Sequence, residues 1–431
     1  MPEDWKGKVP GVTYRLGPGF SEKHKGWRVR LVVNNILEEK EDSNVLGLIR
    51  GAEEPDRYVL ISNHRDAWGY GAIDPSSGTC AMMEVARVLG NLVKSGKWRP
   101  RRSILFASFS TEEYGLMGSN EWVYDKIHKL MNKAVAIINV DICVKGPILD
   151  PEASPILKEV FIEAIKDVPY NGDPSKSYYE FFKEYLKNEA KPIYNVEDKI
   201  KIMGSGSDQA AFAFYAGVPA LKFDFEIDRQ KYPGFSSYPM YHTGYETFYL
   251  MDKIIDPGFA IHKTCSQISS HMALNLAESP VLPFTTRHLI AELQKGVDAL
   301  DKNNVPKALK DNGAGKAYDL MLESLKMFKT ATMKWTQARD RMASDGTLEN
   351  PIRWKLYFPS VTNNPFSRLR ELNDQIMNLE RTFLLPQGLP GRPEIRNALF
   401  SPAKFNAYGE TLLKLFGCVI LICRWGSFPR D

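Results

Sequence analysis

Residues 57–64 read RYVLISNH, and residues 63–78 continue as NHRDAWGYGAIDPSSG. A short apolar run thus ends on His64, and Asp74 follows ten residues later in a segment rich in glycine and proline. Apolar and β-branched residues bounded by turn formers predict a buried strand. The next stretch, SGTCAMMEVARVLGNLVKSG, carries apolar residues at helical spacing, and the pairing recurs downstream. SILFASF precedes EEYGLMGSNEWVYDKIHKLM, AVAIINV precedes SPILKEVFIEAIKDV, and SDQAAFAFYAG precedes PALKFDF. Strand and helix in alternation from about residue 45 to 280 predict an α/β fold, with a mainly parallel twisted sheet and helices on both faces.

On either side the pattern changes. Residues 1–40 hold a Gly/Pro-rich opening and the alternating stretch WRVRLVVNNIL, which predicts one or two strands without a core of their own. Beyond about residue 285, RHLIAELQKGVDAL, AYDLMLESLKMFKTATMKWTQARDRM and FSRLRELNDQIMNLERTFL show helical spacing and predict an α-helical bundle domain.

The composition is that of a globular chain long enough for two or three domains: 431 residues, 43% hydrophobic and 25% charged. A formal charge of +4, without long basic runs, gives no footprint for nucleic acid, and no nucleic-acid partner is expected. The five cysteines, Cys80, Cys143, Cys265, Cys418 and Cys423, are odd in number and contain no CxxC pair. They predict buried apolar cysteines rather than a disulfide framework or a thiolate zinc module. The start, MPEDWKGKVPG, lacks a secretion-signal pattern, and no apolar run approaches the roughly 20 residues that span a bilayer.

Ligands of open parallel sheets bind beyond the carboxyl ends of the strands. His64 ends the first strand, Glu112 and Glu113 follow SILFASF, and Asp141 directly follows AVAIINV. Asp74 and, in YPMYHTGYET, His242 complete a set of acids and imidazoles. Singly, each has a plain reading: His242 as a hydrogen-bonded structural residue, an Asp after a strand as a turn or cap, Glu112–Glu113 as a match to a helix dipole. Together, carboxylates crowded at one sheet edge repel one another unless a cation compensates them. Imidazole and carboxylate without thiolate suit zinc in an open site, while cobalt and manganese accept similar ligands. Five ligands exceed one open tetrahedral site and suit two ions that share a carboxylate, about 3.5–4 Å apart.

The segments HRDAWGYGAIDPSSG, WRPRRSILFASFSTEEYGLMGS, INVD, GSGSDQAAF and YPMYHTGYET resemble successive motifs of the M28 zinc peptidases, in particular the glutamate carboxypeptidase II branch, over residues 1 to about 415. The resemblance implies the zinc exopeptidase fold and two zinc ions per chain. It makes His64 and Asp141 ligands of one ion, Glu113 and His242 ligands of the other, and Asp74 the bridging carboxylate. Glu112 takes the place of the general acid/base, and Tyr241 that of a tyrosine that hydrogen-bonds the reacting group. Two divalent ions against three carboxylates leave an excess positive charge that favours ionised water, suited to hydrolysis of a small peptide. A cis Asp74–Pro75 bond is expected to fold the intervening segment back so that both ligands face one site.

The resemblance weakens around the substrate. Lys222, Asp224, Asp150 and Ala407 stand where glutamate-preferring enzymes carry cationic residues, whereas Gly206 and Tyr408 are kept and Ser207 replaces an asparagine. Lys222 and Asp224 also have a plain reading as strand residues in a salt bridge. If they line the pocket, weak preference for a C-terminal glutamate is expected. For the family's structural calcium, Glu121 fits one ligand but Tyr124 stands where a second carboxylate is needed. By resemblance, residues 1–40 are a remnant of an apical domain, 41–282 the peptidase domain and 283–431 a transferrin receptor-like dimerisation domain, atypical after about 416. The family is anchored in the plasma membrane with its catalytic part outside and forms homodimers; the chain is read as part of a longer product that lacks the anchor, the first strands of the peptidase domain and the arginine that grips the substrate's α-carboxylate. Three alternatives stand beside this: an aminopeptidase or dipeptidyl-peptidase of the same clan, a non-catalytic transferrin receptor-like scaffold, and an inactive fragment. GSGSD is not GxSxG, which argues against a serine peptidase.

Overall fold

A computed structural model describes residues 20–36, 38–344, 365–399, 401–403 and 406–410. Seven strands form the main sheet: β1 (Val45–Ile49), β2 (Glu54–His64), β3 (Arg102–Phe109), β4 (Ala134–Asn139), β5 (Ile148–Ala153), β8 (Lys201–Ile202) and β9 (Ala220–Glu226), while β6 (Pro169–Tyr170) and β7 (Asp173–Ser177) make a separate hairpin. Their order is β1-β3-β2-β4-β9-β5-β8. β3, β2, β4 and β9 run parallel, and β1 and β5 pair antiparallel at the flanks of that block. The parallel centre explains the unbroken apolar runs: every residue of β4, AVAIIN, is buried, because crossover helices cover both faces.

The helices that matter below are α1 (Ser76–Lys94), α2 (Met117–Asp125), α3 (Lys158–Asp167), α4 (Gln209–Tyr215), α5 (Ala260–Glu278), α6 (Arg287–Lys302), α7 (Gly315–Ser344) and α8 (Pro365–Met377). In α1, Ala81, Met82, Val85 and Leu89 share one buried stripe at i, i+1, i+4 and i+8. The expected mainly parallel α/β sheet and the helical C-terminal region are thus both present. That region is not separate from the sheet: Ile376, Met377, Leu389, Ile395 and Leu399 belong to the same apolar core as β2 and β4. Arg381 of this region donates from Nη2 to the carbonyl of Ala134, and Arg57 of β2 pairs with Asp374 at 2.7 Å. No helix among the described residues is long and apolar enough to cross a membrane.

Three expectations fail. The described residues of WRVRLVVNNIL form no strand: they are exposed, and among the described residues no segment pairs with them. Glu112 and Glu113 do not open a helix; they occupy a turn between Thr111 (φ 53°) and Leu116 (φ 61°), and α2 begins only at Met117. The cysteines are not all solitary, because Cys143 and Cys265 form a disulfide that joins the segment after β4 to α5, with Cα atoms 6.4 Å apart. Their separation of 122 residues hides such a pair from any reading of spacing. Cys80 is free and exposed, and Cys418 and Cys423 lie outside the described residues, as does the atypical segment after residue 416.

Beside the end of β5, Glu380 is buried, accepts a hydrogen bond from Ser154 at 3.0 Å, and has its carboxyl pushed up to about 8, chiefly by burial. A carboxyl whose folded pKa is raised contributes most favourably below its unfolded value of 4.5; that contribution is lost as pH rises toward about 8. Glu380→Gln is therefore expected to match the native chain near pH 4.5 and to exceed it in stability at pH 8–9, as urea midpoints at the two pH values will measure. A constant difference across that range refutes the assignment.

Candidate metal centre

β2 and β3 run parallel in register, with His64 opposite Phe109, so the end of one delivers His64 beside the turn that follows the other. β4 ends next to them, and Val140 donates its N–H to the carbonyl of Ser62 at 2.9 Å, which carries Asp141 to the same edge. The loop 65–75 then returns Asp74, and the Asp74–Pro75 bond is cis, as expected. α1 starts immediately afterwards and its first turn lies against the end of β4. A Cβ on Gly78 would stand 1.7 Å from the carbonyl oxygen of Val140 and 2.1 Å from that of Asp141, so only glycine permits this approach.

Asp74 lies between two histidines. Its Oδ1 is 3.2 Å from Nε2 of His64, and its Oδ2 is 3.0 Å from Nε2 of His242. His64 Nε2 is also 2.9 Å from Asp141 Oδ1, and His242 Nε2 is 3.2 Å from Glu113 Oε2. Potential ligand atoms of His64, Asp74 and Asp141 lie within 4.8 Å of one another, and so do those of Asp74, Glu113 and His242. All five residues named from the sequence as ligands are therefore brought together in two triads that share Asp74.

The donor set fits two cations. Asp74 Oδ1 and Glu113 Oε1 are buried and accept no hydrogen bond from protein, a costly state for carboxylate oxygens unless a cation faces them. Without a cation the charges distort one another. Glu112 is pushed up to about 10 by burial and by Asp141, and Glu113 to about 7 by burial and by Asp74. Burial opposes a charged His64, but Asp141 and the other carboxylates outweigh it and raise the imidazole far above its usual range. Nitrogen and oxygen donors without thiolate are the choice of zinc in an open site. His64 Nδ1 lies 3.0 Å from the carbonyl of Asp66, so a proton held there leaves Nε2 free to ligate.

Three residues escaped the sequence reading. Asp66 accepts the N–H of Glu112 on one oxygen and that of Glu113 on the other, each at 3.0 Å, and thereby fixes the turn to the loop after β2. Glu246 is buried and accepts N–H groups of both Asp74 and His242. Asp208, buried just before α4, has its carboxyl pushed up to about 7 by burial, partly offset by His64. Two of them carried a weak signal: an acid two residues after His64 and another four residues after His242.

The substrate candidates divide. Tyr241 is half exposed and its ring stacks on that of His242, centroids 3.7 Å apart. Lys222 reaches the centre, with Nζ 3.8 Å from Asp141 Oδ2. Asp224 pairs with Lys145 at 2.9 Å, in keeping with its plain salt-bridge reading, and Asp150 pairs with Lys201 at 2.6 Å. Ser207 is fully buried and accepts a hydrogen bond from Asn139 at 2.8 Å, beneath the centre rather than in an open pocket. Gly206 is exposed with open space where a side chain would go. Tyr408 falls in the strand Asn406–Glu410, and its side chain, like that of Ala407, lies outside the described residues. Glu121 and Tyr124 belong to no cluster of potential metal ligands among the described residues.

Residues 44–256 match peptidase family M28, and residues 317–413 match the transferrin receptor-like dimerisation domain. The chain therefore carries an M28 peptidase domain followed by a transferrin receptor-like dimerisation domain. It is 36% identical over 405 residues to the rat (Rattus norvegicus) protein named aminopeptidase NAALADL1, covering 93% of this chain and 51% of that protein. It is 33% identical over 425 residues to the glutamate carboxypeptidase 2 homolog of Caenorhabditis briggsae, covering 96% of this chain and 52% of that protein. The chain thus spans about half the length of these curated relatives. Among solved structures, a zinc aminopeptidase from Bacillus subtilis is 19% identical with a TM-score of 0.39, over 55% of this chain and 50% of that one.

Proposed function

We propose that the chain supplies the catalytic centre of a co-catalytic di-zinc exopeptidase acting on small peptides, a carboxypeptidase of the glutamate carboxypeptidase II type with altered side-chain preference. The observation that carries this reading is the division of the two Asp74 oxygens between His64 and His242, which is what a bridging carboxylate requires. His64, Asp74 and Asp141 would hold one zinc, and Asp74, Glu113 and His242 the other. Bound zinc supplies a Lewis acid for the peptide carbonyl and lowers the pKa of water to about 7.

The protein's own residues do the rest. Glu112, held by the same turn as Glu113, accepts a proton from the attacking water and delivers it to the leaving amine. Burial and the neighbouring carboxylates keep the Tyr241 phenol protonated well above its ordinary range, so at neutral pH it can donate to the oxygen of the reacting carbonyl. Residues 1–40, 41–282 and 283–431 correspond in this reading to an apical-domain remnant, the peptidase domain and a dimerisation domain. The last supports a homodimer, and residence at the outer face of the plasma membrane follows from the family resemblance alone. A structural calcium ion finds no support in Glu121 and Tyr124.

A second reading, an aminopeptidase of the same clan, is favoured by the likeness to the rat protein named aminopeptidase NAALADL1, 36% identical over 405 residues. A panel of dipeptides separates the two directions. Neutral C-terminal residues are expected to be cleaved at least as fast as glutamate, and a strong preference for acidic dipeptides overturns that expectation. Cleavage of N-blocked dipeptides supports the carboxypeptidase direction; hydrolysis confined to free amino termini supports the second reading.

A further inference from the structure

Glu246 is completely buried among the residues that deliver Asp74 and His242, yet it reaches neither of their ligand atoms. Its carboxylate instead grips their main chains. Oε2 accepts the N–H of Asp74 at 3.2 Å and Oε1 that of His242 at 3.1 Å. The hydroxyl of Tyr238 donates to the same Oε1, and the carbonyl of Glu246 accepts the N–H of Ala72 at 3.0 Å. One side chain therefore joins two ligand-bearing segments that lie 168 residues apart in the sequence. The need for such a clamp is local. His242 sits at φ 57°, a left-handed conformation that residues with a Cβ rarely adopt and that persists only where the surroundings enforce it. Neither segment is a strand or a helix here, so no ladder fixes their spacing. No comparable tie links Glu246 to His64 or Asp141, which are set by the parallel register of β2 and β4.

We infer that Glu246 is a positioning residue that sets the distance between the Asp74 carboxylate and the His242 imidazole, and so governs occupancy of the metal position formed by Glu113 and His242. This rests on the two-metal reading above. A carboxylate can accept both N–H groups, whereas an amide has one acceptor oxygen, so Glu246→Gln must release one of the two tethers. Residues that orient ligands from behind are typically worth about 10- to 100-fold in metal affinity.

The test is zinc titration of the metal-free full chain, native and variant, followed by calorimetry and by elemental analysis after dialysis. The native chain is expected to bind two ions. Glu246→Gln should hold one with native affinity and the other about 10- to 100-fold more weakly, and Tyr238→Phe, which keeps both tethers, should bind like the native chain. Should Glu246→Gln fail to fold, Glu246→Asp carries the test, with the same selective weakening of one ion expected. Native binding of both ions by the variant, or equal weakening of both, overturns the inference and leaves the two-metal reading standing. Fewer than two ions on the native chain overturns that reading itself, and the inference with it.

Discussion

Asp74→Ala is expected to empty both metal positions, taking zinc retained after dialysis from two ions per chain to none and peptidase activity to background. Each of the other proposed ligands serves one triad, but the two oxygens of Asp74 face different histidines, at 3.2 Å and 3.0 Å. Its loss leaves each position with two donors, too few for a catalytic zinc, which keeps three protein ligands. The fold is expected to survive. His64 remains paired with Asp141, the sheet register does not involve Asp74, and alanine removes a buried carboxylate whose Oδ1 accepts no hydrogen bond. Far-ultraviolet dichroism of the variant should match the metal-free native chain. Full retention of both ions by the variant excludes a bridging Asp74, and a native chain that folds but retains no zinc shifts the reading to a non-catalytic scaffold.

Glu112→Gln is expected to separate metal content from turnover. The amide has nearly the shape of the carboxylate but cannot accept a proton, so kcat should fall by about 10²- to 10⁴-fold. Zinc content should stay native, because Glu112 belongs to neither triad. The turn that places it should also persist, since Asp66 grips the backbone N–H of Glu112 and not its side chain. Loss of zinc in parallel with activity assigns Glu112 to the ligands instead. Unchanged kcat removes it from the chemistry.

Much of the centre was legible because its residues stand at the carboxyl ends of parallel strands, a position set by periodicity and turns that the sequence displays. His64, Glu112, Glu113 and Asp141 follow three apolar runs directly or within a few residues, and the sheet order then makes them neighbours. Asp66 and Glu246 left only a weak signal, an acid close after each histidine, since each acts by accepting main-chain N–H groups, and which N–H groups point where depends on loop geometry that spacing does not encode. The disulfide between Cys143 and Cys265 was missed for the same reason, as proximity across 122 residues is a property of the fold. WRVRLVVNNIL shows the reverse error. Strand propensity is present there, but a strand exists only where a neighbour supplies hydrogen-bond partners.

Gly78 bears on how damage to such a centre would look. It has no functional group and belongs to neither triad, yet a single added methyl group would collide with the carbonyls of Val140 and Asp141. A change to alanine would act as a wedge between α1 and the end of β4, prising Asp141 away from His64. Anyone screening variants by chemical character would pass over it as mild. The spacing of the centre depends here on a missing atom, and the harm comes from supplying it.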